Sequence, residues 1–273
     1  MGKVIAFWGN VHGQPRTTSN MVAVAIATAL LHNRRCLLMQ THFNLNHLET
    51  YLIGNRENSR DVFLDIGIDG LARSIKLEPL MEKTIENYSI PLLNKKLALL
   101  PGTTSHNRDL YKNDMGRTLY IILKEAVRYY DYVFVDINSG SDQISEIVIK
   151  QSDLIAVNLC QNKSVLDDYF TTWQWKNKNI MYLIGSYDKN SSYNINNLKN
   201  LYRPLRKSPV SEIPYSTGFM DAQSNGSVLK FMNKSMALRG KEEDAYFIGC
   251  VRKASERLLK LTTDKKGGIV SDL

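Results

Sequence analysis

The residues best placed to do chemistry follow the first apolar run. Lys3–Trp8 is short and β-rich, and Gly9-Asn10-Val11-His12-Gly13-Gln14-Pro15-Arg16-Thr17-Thr18 follows it at once, opening a helical pattern over Thr18–His32. A strand–loop–helix turn of this kind aims backbone N–H groups and the positive end of a helix at one point, which suits a phosphate. Gly13 and Gln14 supply loop backbone, Arg16 supplies a cation, and Thr17 and Thr18 supply hydroxyls for phosphate or Mg²⁺. Pro15 offers no N–H and fixes φ, so it removes one donor from the cradle.

Positioning such a loop requires a parallel sheet, and the rest of the chain reads as one. Short apolar runs at Lys3–Trp8, Arg35–Met39, Leu97–Leu100, Tyr132–Ile137, Asp153–Leu159, Ile180–Ile184 and Ser211–Ile213 are the length of strands buried on both faces. Helical patterns lie between them, at Thr18–His32, Gly116–Tyr130, Asp142–Lys150, Val165–Trp175, Ile195–Tyr202 and Asn225–Met232. Glu242–Leu261 carries Phe247, Ile248, Val251, Ala254, Leu258 and Leu261 on one face, which is expected to pack on the sheet. The alternation predicts an α/β, doubly wound, mostly parallel sheet with helices on both faces. The stretch 55–96 is less regular, punctuated by Glu78-Pro79 and Ile90-Pro91, and Ser89–Pro91 could pair antiparallel with Leu97–Leu100. With no repeat or linker, residues 1–261 are expected to form one domain, and 262–273 a flexible polar tail.

Composition bounds the function classes. No apolar run reaches the ~20 residues of a membrane helix, and the N-terminal apolar stretch is too short for a signal segment, so the expected location is cytoplasmic. Cys36, Cys160 and Cys250 lie far apart and are expected as small buried hydrophobes. The formal charge is +8, unevenly spread. Between Thr172 and Pro209 stand Lys176, Lys178, Lys189, Lys199, Arg203, Arg206 and Lys207 against the single acid Asp188. Lys199, Arg203, Arg206 and Lys207 form the best candidate for DNA phosphate contact, without base reading. An acidic protein partner or a merely solvated face are the other readings of the same charges.

Val11–Thr18 resembles the deviant phosphate loop of the ParA/MinD family of P-loop ATPases, K-G-G-x-G-K-[ST]-[ST], in its middle glycine, its two threonines and its setting. Val11 stands for the family's signature lysine, His12 for a glycine, Pro15 for the last glycine and Arg16 for the phosphate lysine. Leu37–Glu49 resembles the segment after the second strand, with Gln40 and His42 in place of two aspartates. The second of these aspartates helps activate the attacking water. His42 is therefore a candidate base, or simply a polar loop residue. Asp131–Gly140 resembles Walker B and the switch II glycine, which makes Asp136 the acid that would hold Mg²⁺ with Thr17. Glu212–Ala222 resembles the last strand and the loop packing on adenine, with Pro214 and Tyr215 as base contacts, while Gly185-Ser186 replaces an earlier contact.

The resemblance covers residues 3–235. It implies binding of ATP or ADP with Mg²⁺, a homodimer, and a role in positioning or partitioning DNA or a pilus or secretion machine. The replaced groups predict weak or absent hydrolysis, since losing one donor or charge from such a site costs about 10²–10³ in rate. A scaffold or non-specific DNA-binding module that has lost the nucleotide is the alternative. Membrane attachment is not expected, because the terminus lacks a strongly apolar helix face.

Overall fold

The computed structural model describes residues 1–43, 47–54, 66–77, 83–173, 175, 178–237, 242 and 244–263. Eight strands form one sheet: β1 (Lys3–Trp8), β2 (Cys36–Gln40), β3 (Ile90–Leu92), β4 (Leu97–Leu99), β5 (Tyr132–Asp136), β6 (Leu154–Leu159), β7 (Ile180–Tyr187) and β8 (Val210–Pro214). Their order is β3-β4-β2-β5-β1-β6-β7-β8. Every pair is parallel except β3 with β4, the antiparallel pair the sequence anticipates. The sheet is therefore α/β, doubly wound and mostly parallel, as expected.

Among the described residues the helices are α1 (Thr17–Leu31), α2 (His47–Ile53), α3 (Gly67–Leu77), α4 (Thr84–Asn87), α5 (Arg108–Tyr129), α6 (Gln143–Gln151), α7 (Lys163–Thr172), α8 (Ile195–Leu201), α9 (Arg203–Lys207), α10 (Thr217–Ser224), α11 (Val228–Ser235) and α12 (Ala245–Thr263). Alternate residues of each strand point to opposite faces, so the sheet divides two cores. Ile5, Phe7, Leu38 and Phe134 meet α1, α2, α10, α11 and α12 on one face. Val4, Ala6, Trp8, Leu37 and Val135 meet α3 to α8 on the other. Phe247, Ile248, Val251, Ala254 and Leu258 of α12 are buried on the sheet, as their spacing requires.

Several boundaries differ from the sequence reading for local reasons. α5 starts eight residues before Gly116, because Asn107 Oδ1 accepts from Leu110 N at 3.0 Å and caps the helix there. The helix expected over 225–232 is α11, three residues later, and a further helix, α10, precedes it. Ser216 caps α10 through Phe219 N at 2.9 Å, and Gly226, at φ 63°, makes the turn into α11. The residues after Tyr215, expected as a loop packing on adenine, are therefore helical from Thr217. Within the irregular stretch 55–96, α3 and α4 were not anticipated, and Glu78-Pro79 lies outside the described residues. Thr262 and Thr263, assigned to the tail, close α12, and Thr262 Oγ1 is 3.2 Å from Tyr132 Oη; residues 264–273 lie outside the described residues. No helix among the described residues is long and apolar enough to cross a membrane.

Candidate functional site

All the chemistry-bearing residues singled out after β1, β2, β5 and β8 sit at the carboxyl ends of parallel strands. β1 lies between β5 and β6, where doubly wound sheets open a crevice. The loop after β1 is held by side chains from both neighbouring strands. Asn10 Nδ2 donates to Val165 O at 2.9 Å and to Asp168 Oδ2 at 2.8 Å. Ser139 Oγ donates to Val11 O at 3.1 Å, Gly140 N to Gly9 O at 3.2 Å, and Trp8 Nε1 back to Gly140 O at 3.0 Å. Gln14, read from sequence as a phosphate contact, turns its side-chain oxygen away to accept from Asn162 Nδ2 at 3.1 Å.

The base of the loop rests on β7. Pro15 O accepts from Asn20 Nδ2 at 2.9 Å, and the same amide nitrogen reaches Asn158 Oδ1 at 2.9 Å. A Cβ placed on Gly185 would stand 2.1 Å from Pro15 O and 2.7 Å from Asn20 Nδ2. Gly185, which the sequence reading saw only as a replaced base contact, is the residue that lets the loop lie against the sheet.

The open side of the loop is a cavity of about 150 Å³ lined by His12, Gly13, Thr17, Thr18, His42 and Asp136, among others. Gly13, at φ 80°, has nothing within 4 Å of where a Cβ would stand. Arg16 takes a left-handed conformation and gives α1 no side-chain cap, so the helix's first N–H groups have no intrahelical acceptor at this cavity. Two other loop donors are spent internally, Gln14 N on His12 O and Arg16 N on Gly13 O.

Asp136 forms the cavity's anionic wall and is fully buried. Its Oδ2 accepts from Thr18 Oγ1 at 2.5 Å and lies 3.1 Å from His42 Nε2. The sequence paired Asp136 with Thr17; in the fold Thr18 holds it, while Thr17 Oγ1 lies 3.2 Å from where a Cβ on Gly9 would stand. The protonation of His42 follows from a chain of contacts. Asp142 caps α6 and accepts from Asn138 Nδ2 at 3.0 Å, which fixes the amide so that Asn138 Oδ1 faces His42 Nδ1 at 2.7 Å. Nδ1 must then donate, and a lone pair on Nε2 would face a carboxylate. Burial disfavours the charged ring, but Asp136, Asn138 and Asp142 outweigh it and hold the His42 pKa above its ordinary value. Nε2 and Asp136 Oδ2 stand close enough to form an ion pair when the ring is protonated, and this contact favours the protonated form. Burial alone would raise the Asp142 carboxyl, yet the donors Asn138 and Ser145, with the N–H groups of Ile144 and Ser145, bring it below its usual range.

α2 contributes groups that the sequence reading missed. His47 stacks on Tyr51, with ring centroids 5.9 Å apart, and both line the cavity. Their spacing of four on the first helix after β2 is the signal that would have found them. The pKa of His47 is lowered by burial first and then by the charge on His42. Glu49 is buried, accepts from Gln40 Nε2 at 3.0 Å and Gly102 N at 2.6 Å, and has a carboxyl raised by burial.

Arg16 lines the phosphate cavity, and its guanidinium is held by residues of and before α10. Its Nη1 is 3.0 Å from Met220 Sδ and its guanidinium sits 5.5 Å from the ring centre of Tyr215, on the side where the sequence places the base. Tyr215 is half exposed, while Pro214 is buried at the end of β8. The basic patch is divided. Arg206 donates to Lys199 O at 2.6 Å and Asn200 O at 3.0 Å, capping the end of α8, whereas Arg203 and Lys207 face solvent. Lys176 lies outside the described residues. Cys36, Cys160 and Cys250 are all buried, and burial raises each thiol.

A phosphate group fits this cavity by size and by donors; a whole nucleotide would extend past it towards Tyr215. For a divalent cation, Asp136 Oδ1 is a buried oxygen with no hydrogen-bond partner among the described residues, and Thr17 lines the same cavity. Both are oxygen donors of the kind Mg²⁺ takes.

No family model and no curated protein matches the chain. Solved structures do. A ParA family ATPase from Chlorobium tepidum TLS superposes with a TM-score of 0.71 at 15% identity, covering 94% of this chain and 99% of that one. The cell division ATPase MinD of Pyrococcus furiosus gives 0.70 at 14% identity, covering 96% and 100%. The septum site-determining protein MinD of Pyrococcus horikoshii OT3, complexed with Mg-ADP, gives 0.69 at 13% identity, covering 97% and 100%. The chain has the ParA/MinD fold.

Proposed function

We propose that this chain is a ParA/MinD-like nucleotide-binding protein that acts as a homodimer in positioning or partitioning DNA or a pilus or secretion machine, with hydrolysis weak or absent. The observation that carries the reading is the Thr18–Asp136 hydrogen bond, which joins the start of α1 to the end of β5. It sets an uncapped helix N-terminus and a strand-end carboxylate on two sides of one cavity, the arrangement a phosphate and its cation require. The N–H groups opening α1 would hold the phosphate oxygens, Tyr215 and Pro214 the base, and Arg16 the region between. Thr17 and Asp136 would hold Mg²⁺, which when bound neutralises charge on the phosphates. Slow hydrolysis follows from the same geometry. His42 faces Asn138 and Asp136 with its two nitrogens, so it has no free lone pair with which to take a proton from water.

A second reading is a scaffold or DNA-binding module that keeps the fold without the nucleotide. It is favoured by the spent loop donors, by Arg16 held at Met220 and by the His42 ring already against Asp136. Isothermal titration of ATP and ADP with Mg²⁺, repeated on Arg16→Ala, separates the two. Micromolar binding that weakens in the variant, with nucleotide-dependent dimerisation in sedimentation, supports the first reading. A folded protein that gives no heat supports the scaffold.

A further inference from the structure

A second cavity lies away from the loop, at the edge of the sheet. β8 is the last strand of the sheet, so among the described residues one side of it has no strand neighbour. Tyr182 N donates to Pro209 O at 2.8 Å, which turns residues 209 and 211 towards β7 and the backbone groups of Val210 and Glu212 outward. Between α8 and α12 this edge opens into a cavity of about 540 Å³. Lys189, Lys199, Lys253 and Arg257 line it against one acid, Glu212. It shares no lining residue with the cavity at Gly13.

These cations are arranged differently from a solvated face. Arg257 is fixed by donating to Val210 O and to Ser211 Oγ, the latter at 2.7 Å, and so closes the open strand edge with a charge. Lys189 Nζ lies 5.9 Å from the ring centre of Tyr246. Among the described residues, Lys199 and Lys253 have no carboxylate within 4 Å. Glu212 Oε1 accepts from Cys250 Sγ at 3.7 Å. The lysines come from two separate elements and the loop after β7, and they converge on a concavity.

We infer that this cavity binds a phosphorylated small molecule of about nucleotide or sugar-bisphosphate size. The volume is that of a small-ligand pocket, about 300–1,000 Å³. Unpaired ammonium groups around it give charge-assisted bonds to phosphate oxygens. Glu212 provides an acceptor for a ligand hydroxyl or amino group and repels further phosphate. A DNA duplex presents its phosphates on a convex surface about every 3.4 Å along each strand, and cannot enter a concavity of this size.

The test is calorimetric titration of inorganic pyrophosphate and adenosine 3′,5′-bisphosphate, without Mg²⁺, into the full chain carrying Arg16→Ala, which weakens the other site; any binding left at the start of α1 is common to this chain and to the lysine variants compared with it. One-to-one binding is expected, and adding Lys199→Gln with Lys253→Gln should weaken it at least about tenfold, a loss of about 1.4 kcal/mol. The single Lys253→Gln, at an exposed position, gives the same reading if the double variant does not fold. Three results overturn the inference: no saturable binding in the Arg16→Ala chain, equal binding after the lysines are replaced, or a random DNA duplex that displaces both probes and loses more affinity than they do.

Discussion

The His42–Asp136 pair makes the sharpest quantitative claim about the site. Replacing His42 by glutamine leaves Asp136 fully buried, with Thr18 on one oxygen and, among the described residues, no hydrogen-bond partner on the other. Removing one member of a buried pair costs about 3–5 kcal/mol, and the cavity's access to water places this one at the lower end, about 3 kcal/mol. The effect depends on pH with a definite sign. The pKa of His42 is higher in the folded protein than its ordinary value, so the folded state binds the proton more tightly. Its contribution is complete below the unfolded pKa of about 6.5 and disappears as pH rises through the folded value. The contribution is about 1.4 kcal/mol for every pH unit that separates the two values. His47 has the opposite sign, lowered by burial and by His42, and weakens the fold only below about pH 6.5. Asp142, whose pKa is lowered, stays ionised throughout. Urea denaturation from pH 6.5 to 9.5 should therefore show wild-type stability falling more steeply with pH than that of His42→Gln, the two curves converging at the alkaline end, where both also lose stability above about pH 8.5 through the three buried thiols. A variant that loses less than about 1 kcal/mol at pH 6.5, or that keeps the wild-type slope, would refute the ion pair.

Gly185→Ala would set a methyl group on Pro15 O and Asn20 Nδ2. It should cost about 1–3 kcal/mol in thermal denaturation and abolish nucleotide binding, because the loop must lift from β7. Trp8, Trp173 and Trp175 pack with ring centroids 4.6 to 5.7 Å apart, and Trp8 is bonded to Gly140 beside the loop. Tryptophan emission should shift when ATP is added, and Trp8→Phe should remove most of that change. Reversing Arg203 and Lys207 to glutamate should abolish retention on DNA at low salt without moving the melting temperature. Arg206→Glu should also lower stability by about 1 kcal/mol, since its guanidinium caps α8. Retention unchanged in both variants would remove the patch from consideration.

The strands were legible because each is an apolar run of strand length, and a run buried on both faces needs no knowledge of its neighbours. The loop was legible for a similar reason: Gly13, Thr17 and Thr18 lie between a strand and a helix, and that context is local. What the sequence hid was the work of residues that act across the sheet. Gly185 looked like a lost contact because its importance lies in the 2.1 Å that a side chain would leave to Pro15, some 170 positions away. Thr17 and Asp136 were read together as Mg²⁺ residues from the resemblance; that Thr18 hydrogen-bonds to the same carboxylate depends on how α1 meets the end of β5, which no local pattern reveals. His42 read as a possible base because nothing in its neighbourhood reveals Asp142, which fixes Asn138 and through it the proton on Nδ1. The replacements in the loop and after β2 are thus not independent losses. A proline that removes a donor, an arginine drawn to Met220 and a histidine ring 3.1 Å from the strand-end acid all act on one cavity. Under the proposed function such a site would hydrolyse slowly, because His42 offers no free base, while the uncapped start of α1 still faces the cavity for an anion.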